Sequence, residues 1–215
     1  KQADGLIAHN PVMKSVLVEK GISEKKIVSL GIFDYLIPNY QDKEDLSKEG
    51  AIIVAGNLAQ EKAGYLYELP ERPAYNLYGV GFDEARKLSN ETYFGSFLPD
   101  ELPSALEGSF GLVWDGDSSK TCSGVYGEYL RYNNSHKASL YLASGFPIIV
   151  WKQSALANFV LEKECGISVE SLLDLEEVLD NLSQEEYQDL VKNAKAVGQK
   201  IREGSYLLSA LQALN

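Results

Sequence analysis

The segment from Tyr132 to Trp151, YNNSHKASLYLASGFPIIVW, constrains the fold of this chain more than its neighbours do. It begins with polar, turn-forming residues and continues with apolar residues at helical spacing. Gly145 and Pro147 then interrupt the pattern before an apolar run. This order predicts a loop, a helix and a buried parallel strand. Such a helix begins at the carboxyl edge of a sheet, where backbone N–H groups and the helix dipole favour an anion.

Lys137 lies in the first turn of this predicted helix. A positive charge is unfavourable there unless an anion is bound beside it. The sequence suggests a ligand phosphate as that anion, but an ordinary solvated lysine on a packing helix explains the same residues equally well. His136 precedes it, and this histidine either contacts the phosphate or only solvates the loop.

Strands and helices alternate along the chain, which predicts an α/β fold with a doubly wound parallel sheet. Residues 1–38 hold one strand–helix–strand unit, 39–50 a polar linker, 51–200 a complete second set, and 201–215 a last helix. Because one unit cannot bury both faces of its sheet, we expect the rest of it to precede Lys1. Within the second set we predict helices at 61–69, 83–88, 168–182 and 183–202, and an extended segment at 92–97. Ser183 and Glu186 have the spacing of a capping box at the start of the helix at 183–202.

Three loops follow predicted strands: residues 56–58, 115–117 and 132–137. Open α/β sheets bind ligands beyond the carboxyl ends of their strands, so these loops are the candidate sites. Gly56 permits close backbone approach, although most such glycines only form turns. Asn57 can donate an amide N–H to an oxyanion.

Four further side chains allow two interpretations each. Lys62 either reaches a diphosphate or lies exposed on its helix. Asp115 and Asp117 could hold a metal ion, but we favour a structural turn, because Asp and Gly are common turn residues. His9, at the end of the first strand, is either a base in a cleft or a capping residue.

Composition argues against several classes of function. A formal net charge of −11 disfavours nonspecific nucleic-acid binding, which needs a basic face. Cys122 and Cys165 lack metal-ligand spacing and favour a reduced, cytoplasmic setting over a disulfide scaffold. The sequence has no G-x-S-x-G, H-E-x-x-H or C-x-x-C motif, nor the glycine-rich fingerprints of dinucleotide or P-loop sites.

Several strings along the chain resemble the bacterial GT-B glycosyltransferases that extend glycans on serine-rich-repeat adhesins. They are HKASLYLASGFPIIVW with the preceding GEYLRYN, and upstream IIVAGNL and GSFLPDEL. The resemblance is greatest to glucosyltransferases that add the second sugar after N-acetylglucosamine, and many relatives are labelled β-1,6-galactofuranosyltransferase. It covers essentially all 215 residues. It implies a Rossmann-like GT-B C-terminal lobe, preceded by the last unit of the N-terminal lobe, which the final helix would brace.

The resemblance also implies a donor site. Lys137 would act as the catalytic residue, stabilising the UDP leaving group without a metal or another cofactor. The chain departs from the pair of spaced glutamates found in other retaining GT-B enzymes, because Tyr132 and Leu140 occupy those places. The further substrate-binding residues that the resemblance implies are Gly56, Asn57, Lys62, Trp114, Asp115, Tyr132, Asn134, His136 and Ser139. Of these, Tyr132, Asn134 and Ser139 would flank the ribose and phosphates, and backbone groups around Trp114 and Asp115 would meet the edge of the uracil.

We therefore predict the donor-binding part of a cytoplasmic glycosyltransferase. It would transfer a hexose, with glucose as first choice, from a UDP-sugar to a serine-rich-repeat adhesin bearing N-acetylglucosamine. We expect no nucleic-acid partner, and the relatives suggest a homo-oligomer. Two alternatives compete with this prediction: a noncatalytic GT-B-like helper that binds no nucleotide, and a UDP-sugar epimerase on the same architecture.

Overall fold

The computed structural model describes residues 3–214, which form two parallel sheets. The predicted first unit and last helix also include Lys1, Gln2 and Asn215, which lie outside the described residues. A two-stranded sheet consists of β1 (Leu6–Ala8) and β2 (Ile27–Ser29), joined by α1 (Pro11–Glu19). The second sheet has the strand order β5-β4-β3-β6-β7-β8. Its strands are β3 (Ile52–Asn57), β4 (Tyr75–Val80), β5 (Glu91–Tyr93), β6 (Gly111–Val113), β7 (Ile148–Trp151) and β8 (Gly166–Val169).

Helices cover both faces of this larger sheet. Three-residue or five-residue 3₁₀ turns also occur, at Glu24–Lys26, Gly64–Glu68, Glu84–Arg86 and Leu172–Asp174. The α-helices after α1 are α2 (Gln60–Ala63), α3 (Leu102–Ala105), α4 (Gly124–Tyr129), α5 (His136–Ala143), α6 (Ala157–Lys163), α7 (Leu175–Asn181), α8 (Gln184–Arg202) and α9 (Ser205–Leu214).

The apolar sequence of the strands in the larger sheet results from burial of both faces of that sheet. Ile52 and Val54 point into one core cluster, and Ile53 and Ala55 point into another on the opposite face. A strand buried on both faces has a near-continuous apolar sequence, as residues 52–55 do. The predicted α/β class with a doubly wound parallel sheet is confirmed.

Parts of the predicted secondary structure are wrong. The helix expected at 168–182 merges two elements: β8 ends at Val169, and α7 begins only at Leu175 after a 3₁₀ turn. The strand is possible because Gly166 passes close to β7, where a Cβ would lie 2.0 Å from the Ile148 carbonyl oxygen. The helix expected at 61–69 is α-helical only over residues 61–63 and continues as a 3₁₀ turn to Glu68. Residues 83–88 contain only a 3₁₀ turn, and the extended segment ends at Tyr93. The predicted capping box at Ser183 and Glu186 is confirmed.

The last helix returns to the two-stranded sheet. The Asp34 carboxylate, which follows β2, accepts the backbone N–H groups of Tyr206 (3.2 Å) and Leu207 (2.7 Å) at the start of α9. A carboxylate is favourable at a helix N-terminus, because it satisfies free N–H groups and matches the helix dipole. The helix α9 is therefore tied to the first unit. No helix among residues 3–214 combines the length and the apolar character required to cross a bilayer.

Candidate functional site

Strands β3 and β6 are the point at which the larger sheet reverses its winding. The chain passes from β3 to β4 and β5 on one side, then returns with β6 on the other side of β3. Pairing between β3 and β6 is confined to Ile53 and Gly111. Beyond that pair, the N–H of Ala55 donates to the Tyr141 hydroxyl at 2.7 Å. Ligands of open α/β sheets bind at such a switch point.

Tyr141 can reach Ala55 because Gly111 has no side chain. A Cβ on Gly111 would lie 2.1 Å from Cγ of Tyr141, so the ring of this α5 residue crosses directly over β6. Tyr141 is fully buried, and burial raises the pKa of its hydroxyl, which stays protonated. The hydroxyl thus fixes α5 to the carboxyl half of β3.

Lys137 extends from the first turn of α5 into the space between the carboxyl ends of β3 and β6. Its Nζ donates to Asp115 Oδ1 at 2.7 Å and to the Trp114 carbonyl at 2.9 Å. The side chains of Lys137 and Asp115 are 12% and 8% exposed, so the interpretation as a solvated lysine is wrong. A Cβ on Gly56 would lie 3.7 Å from Lys137 Cε. The structure therefore brings together Gly56, Trp114, Asp115 and Lys137.

The loops around this cluster are tied to one another. The N–H of Gly116 donates to the Lys62 carbonyl at 2.8 Å, which joins the segment after β6 to α2. The ammonium group of Lys62 lies 5.3 Å from the ring centroid of Tyr126. Asn57 is exposed, and its Oδ1 accepts the N–H of Ala59 at 2.9 Å. Lys62 and Asn57 thus lie on the same edge of the sheet as Lys137.

Asn134 has a role that the sequence did not suggest. Its Nδ2 donates to the carbonyls of His9 (2.7 Å) and Gly31 (2.8 Å), and its Oδ1 accepts from Asn10 Nδ2 (2.8 Å). His9 and Gly31 follow β1 and β2, so this side chain joins the two sheets at their carboxyl edges. The predicted contact of Asn134 with ribose or phosphate is corrected accordingly, because its amide donors and its oxygen are used within the protein.

Ser139 and Trp114 are both buried. The Ser139 hydroxyl has no hydrogen-bond partner in the part of the chain that the structure describes, and this structure gives a ligand no access to it. The Trp114 indole N–H donates to the Ser118 carbonyl at 3.0 Å, so only its backbone faces Lys137. That geometry fits the expectation that backbone groups, and not the indole, line the site.

His136 packs against the first unit. Its ring stacks on Phe33 at 4.2 Å, and His9 meets the same ring edge-on at 4.8 Å. His136 is solvent-exposed and also contacts an aromatic ring of the first unit, and its predicted contact with a phosphate stays a prediction. Burial, and to a smaller extent the charge of His136, lowers the pKa of His9.

We expect acidification to destabilise the chain partly through His9. Because its pKa is lower in the folded chain, the unfolded chain binds more protons, and the free energy of unfolding falls as pH drops below about 6.5. Denaturant unfolding between about pH 8 and about pH 5 should show a smaller loss for His9→Gln than for the wild type. His136→Gln should retain most of the loss, since burial is the larger cause. Equal pH slopes for His9→Gln and the wild type would contradict this prediction.

Replacing Tyr141 with phenylalanine tests whether the hydrogen bond between its hydroxyl and the Ala55 N–H supports stability and ligand binding. The substitution leaves the buried Ala55 N–H without its acceptor and should cost about 1–3 kcal/mol of stability. It should also weaken binding of a nucleoside diphosphate by about tenfold, as β3 loses its link to α5. Tyr187→Phe is the matched control, because that buried hydroxyl donates to Ser109, at the opposite end of β6, at 2.9 Å. Calorimetry should show unchanged ligand affinity for the control, and equal losses in both variants would argue against the prediction.

Residues 3–214 contain no group of three or more His, Cys, Asp or Glu side chains that could hold a metal ion. Asp115 is instead paired with Lys137, and Asp117 is exposed. The expectation that no metal is used stays a prediction.

Residues 52–214 match the family model described as Glucosyltransferase 3-like, C-terminal domain, and residues 1–32 match its N-terminal counterpart. The chain belongs to the glucosyltransferase 3-like family. The chain is similar to the β-1,6-galactofuranosyltransferase WbbI of Escherichia coli K12, with which it is 39% identical over 214 residues. Glucosyltransferase 3 of Streptococcus gordonii is 27% identical over 208 residues. These alignments cover 97% and 95% of this chain but 62% and 59% of the relatives, so the chain spans about three fifths of their length.

Solved structures agree on the fold of this glucosyltransferase 3-like chain. A sucrose-phosphate synthase from Thermosynechococcus elongatus superposes with a TM-score of 0.58 at 15% identity, covering 98% of this chain and 58% of the other. HepE of Anabaena, solved with UDP-glucose, gives 0.55 at 13% identity, covering 97% and 64%. The predicted resemblance to bacterial GT-B glycosyltransferases is confirmed.

Sequence reasoning missed two features of this family member's site. The sequence pattern identified Tyr141 only as one of the apolar residues at helical spacing, although Gly111 at the start of the buried strand β6 was the available signal. The helix α4 was not predicted, because Gly124 and Gly127 suppress helical propensity there.

Proposed function

We propose that this chain is the donor-binding part of a UDP-sugar-dependent hexosyltransferase. The observation that carries the proposal is Lys137, which extends from the N-terminus of α5 into the switch point and is held there by Asp115. An ammonium group has three N–H donors, and Asp115 and the Trp114 carbonyl use two of them. Within residues 3–214 the third has no partner, and it can donate to a phosphate oxygen while the ion pair stays intact.

The surroundings of Lys137 suit a diphosphate. The backbone at Gly56 is exposed and has φ of 129°, a conformation that favours glycine and leaves room for close approach by a ligand. The positive end of the α5 dipole adds to the lysine charge. Lys62 lies on the same edge as a second cation, which we propose contacts the diphosphate from the α2 side.

The chemistry that follows is stabilisation of a leaving group. When the bond between the sugar and UDP breaks, negative charge accumulates on the β-phosphate. Lys137 and the N-terminus of α5 lie where they can stabilise that charge, and a preorganised donor of this kind typically contributes roughly 10²–10³ in rate. Asp115 keeps the ammonium group in position before the donor binds, so little reorganisation is needed during transfer.

We propose glucose as the transferred hexose, following the family to which the chain belongs. The 39% identity to a β-1,6-galactofuranosyltransferase favours galactofuranose as a second candidate. The acceptor that we propose is a serine-rich-repeat adhesin carrying N-acetylglucosamine, on the basis of the sequence resemblance alone.

The test combines binding with turnover. Thermal-shift and calorimetric titrations with UDP, UDP-glucose, UDP-galactofuranose, GDP and ADP should show stabilisation by the uridine compounds first. Stabilisation by none of them would overturn the proposal and favour a noncatalytic helper. NMR of each UDP-sugar during incubation should show no isomerised nucleotide, because such a product would indicate an epimerase instead.

A further inference from the structure

Three tyrosines at three-residue spacing lie on the surface of α4 and the turn that follows it. Tyr126, Tyr129 and Tyr132 are 45%, 50% and 45% exposed. The N–H of Tyr132 donates to the Tyr129 carbonyl at 3.0 Å, so the helical path continues beyond α4. Residues three apart on a helix share a face. These side chains therefore form a continuous strip, which we call the tyrosine stripe.

The opposite side of α4 rests on the candidate site. Gly127 faces inward, and a Cβ there would lie 2.8 Å from the Asp115 carbonyl oxygen and 2.6 Å from the Cys122 carbonyl carbon. Asp115 in turn holds Lys137. The tyrosine stripe is thus the outer surface of the segment that positions the lysine.

The two ends of the stripe have defined neighbours. The Lys62 ammonium lies 5.3 Å from the Tyr126 ring centroid, at the donor side. At the other end, the Tyr132 carbonyl accepts from Asn10 Nδ2 at 3.0 Å, where the first unit joins the larger sheet. A molecule lying along the stripe would therefore extend from the donor site to the junction of the two sheets.

The two charged residues within the stripe segment neutralise each other. Glu128 and Arg131, which lie between the tyrosines in sequence, pair with each other at 2.7 Å, and the Arg131 guanidinium also stacks over Trp151 at 4.4 Å. What remains for a ligand is a row of ring faces and phenolic hydroxyls. Exposed rings with a polar end suit ligands that have apolar faces and hydroxyl groups. A neutral sugar has C–H faces for the rings and hydroxyls for the phenols.

We propose that the tyrosine stripe binds a neutral saccharide, the acceptor sugar of the transfer; this inference rests on the proposed function. The proposal assigns Tyr132 to the acceptor sugar, whereas the sequence resemblance places it beside the donor ribose. The stripe is a surface where an acceptor could lie next to a donor held by Lys137.

The test uses the 215-residue chain with Tyr126→Ala, Tyr129→Ala and Tyr132→Ala, singly and combined. Leu161→Ala, at a 78% exposed position on α6, is the control. The probes are methyl glycosides of N-acetylglucosamine, glucose and galactose, added in the presence of UDP and followed by saturation-transfer NMR. We expect the wild type and the control to bind at least one glycoside, and the combined variant to lose about tenfold or more in affinity. UDP affinity should stay within about twofold in every variant.

Four results would overturn the inference. Two are an absence of glycoside binding to the wild type and equal binding by the combined variant. A loss of UDP affinity in Tyr126→Ala would assign the stripe to the nucleobase, and a loss confined to UDP-glucose would assign it to the donor sugar. Failure of the proposed function is recognised separately, because the wild type would then bind no UDP at all.

Discussion

Replacing Lys137 with alanine should reduce the affinity for UDP by roughly 10- to 150-fold. The substitution removes the ammonium group that faces Gly56 and the α5 N-terminus, and a hydrogen bond to a charged group contributes about 1.5–3 kcal/mol. Isothermal titration calorimetry with UDP measures the loss directly. Lys62→Ala, which removes a cation that has no ion-pair partner in residues 3–214 from the same edge of the sheet, should cost only a few-fold.

The same substitution also leaves Asp115 as a buried carboxylate without its partner, which typically costs about 3–5 kcal/mol of stability. The double variant Lys137→Ala with Asp115→Asn removes this charge and should recover most of the stability without recovering UDP affinity. An unchanged UDP affinity in the folded double variant would show that Lys137 does not contact the diphosphate.

Asn134→Leu should destabilise the junction between the two sheets by roughly 2–5 kcal/mol, because several buried polar groups lose their partners. The carbonyls of His9 and Gly31 lose their donors, and Asn10 loses one of the acceptors of its amide. Hydrogen exchange should show that β1 and β2 lose protection before the larger sheet does, since the side chain that joins the loops after them to the start of α5 is then gone.

Asn133→Ala is the matched control for this prediction. Asn133 is the preceding residue, its Oδ1 is buried without a hydrogen-bond partner in residues 3–214, and its Nδ2 makes one long contact of 3.5 Å. Its replacement should change stability by less than about 1 kcal/mol. Equal denaturation midpoints and equal exchange patterns for the Asn134 and Asn133 variants would exclude the role assigned to Asn134.

Local pattern was sufficient for the strands of the larger sheet other than β8 and for the region of the site. Strands such as β3 and β7 are short apolar runs with turn residues after them, and parallel pairing places their carboxyl ends on one edge. That rule alone predicts that Gly56, Asp115 and Lys137 lie near one another, although they are far apart in sequence.

Side-chain pairing could not be derived in the same way. Asp115 and Lys137 are 22 residues apart, and their contact depends on where α5 sits over the sheet, which no local pattern specifies. In the sequence Asn134 is an ordinary polar loop residue, and only the structure shows that the carbonyls following β1 and β2 lie beside it. Strand β8 was not predicted, because the leucines that follow it have helical spacing.

The contact between Gly111 and Tyr141 has an evolutionary consequence. A methyl group at position 111 collides with the tyrosine ring, and a smaller residue at position 141 removes the hydroxyl that Ala55 requires. Either substitution alone is therefore destabilising while the other residue is unchanged. Descendants of this sequence should keep both residues or exchange them jointly, which makes the two positions a correlated pair in any future set of variants.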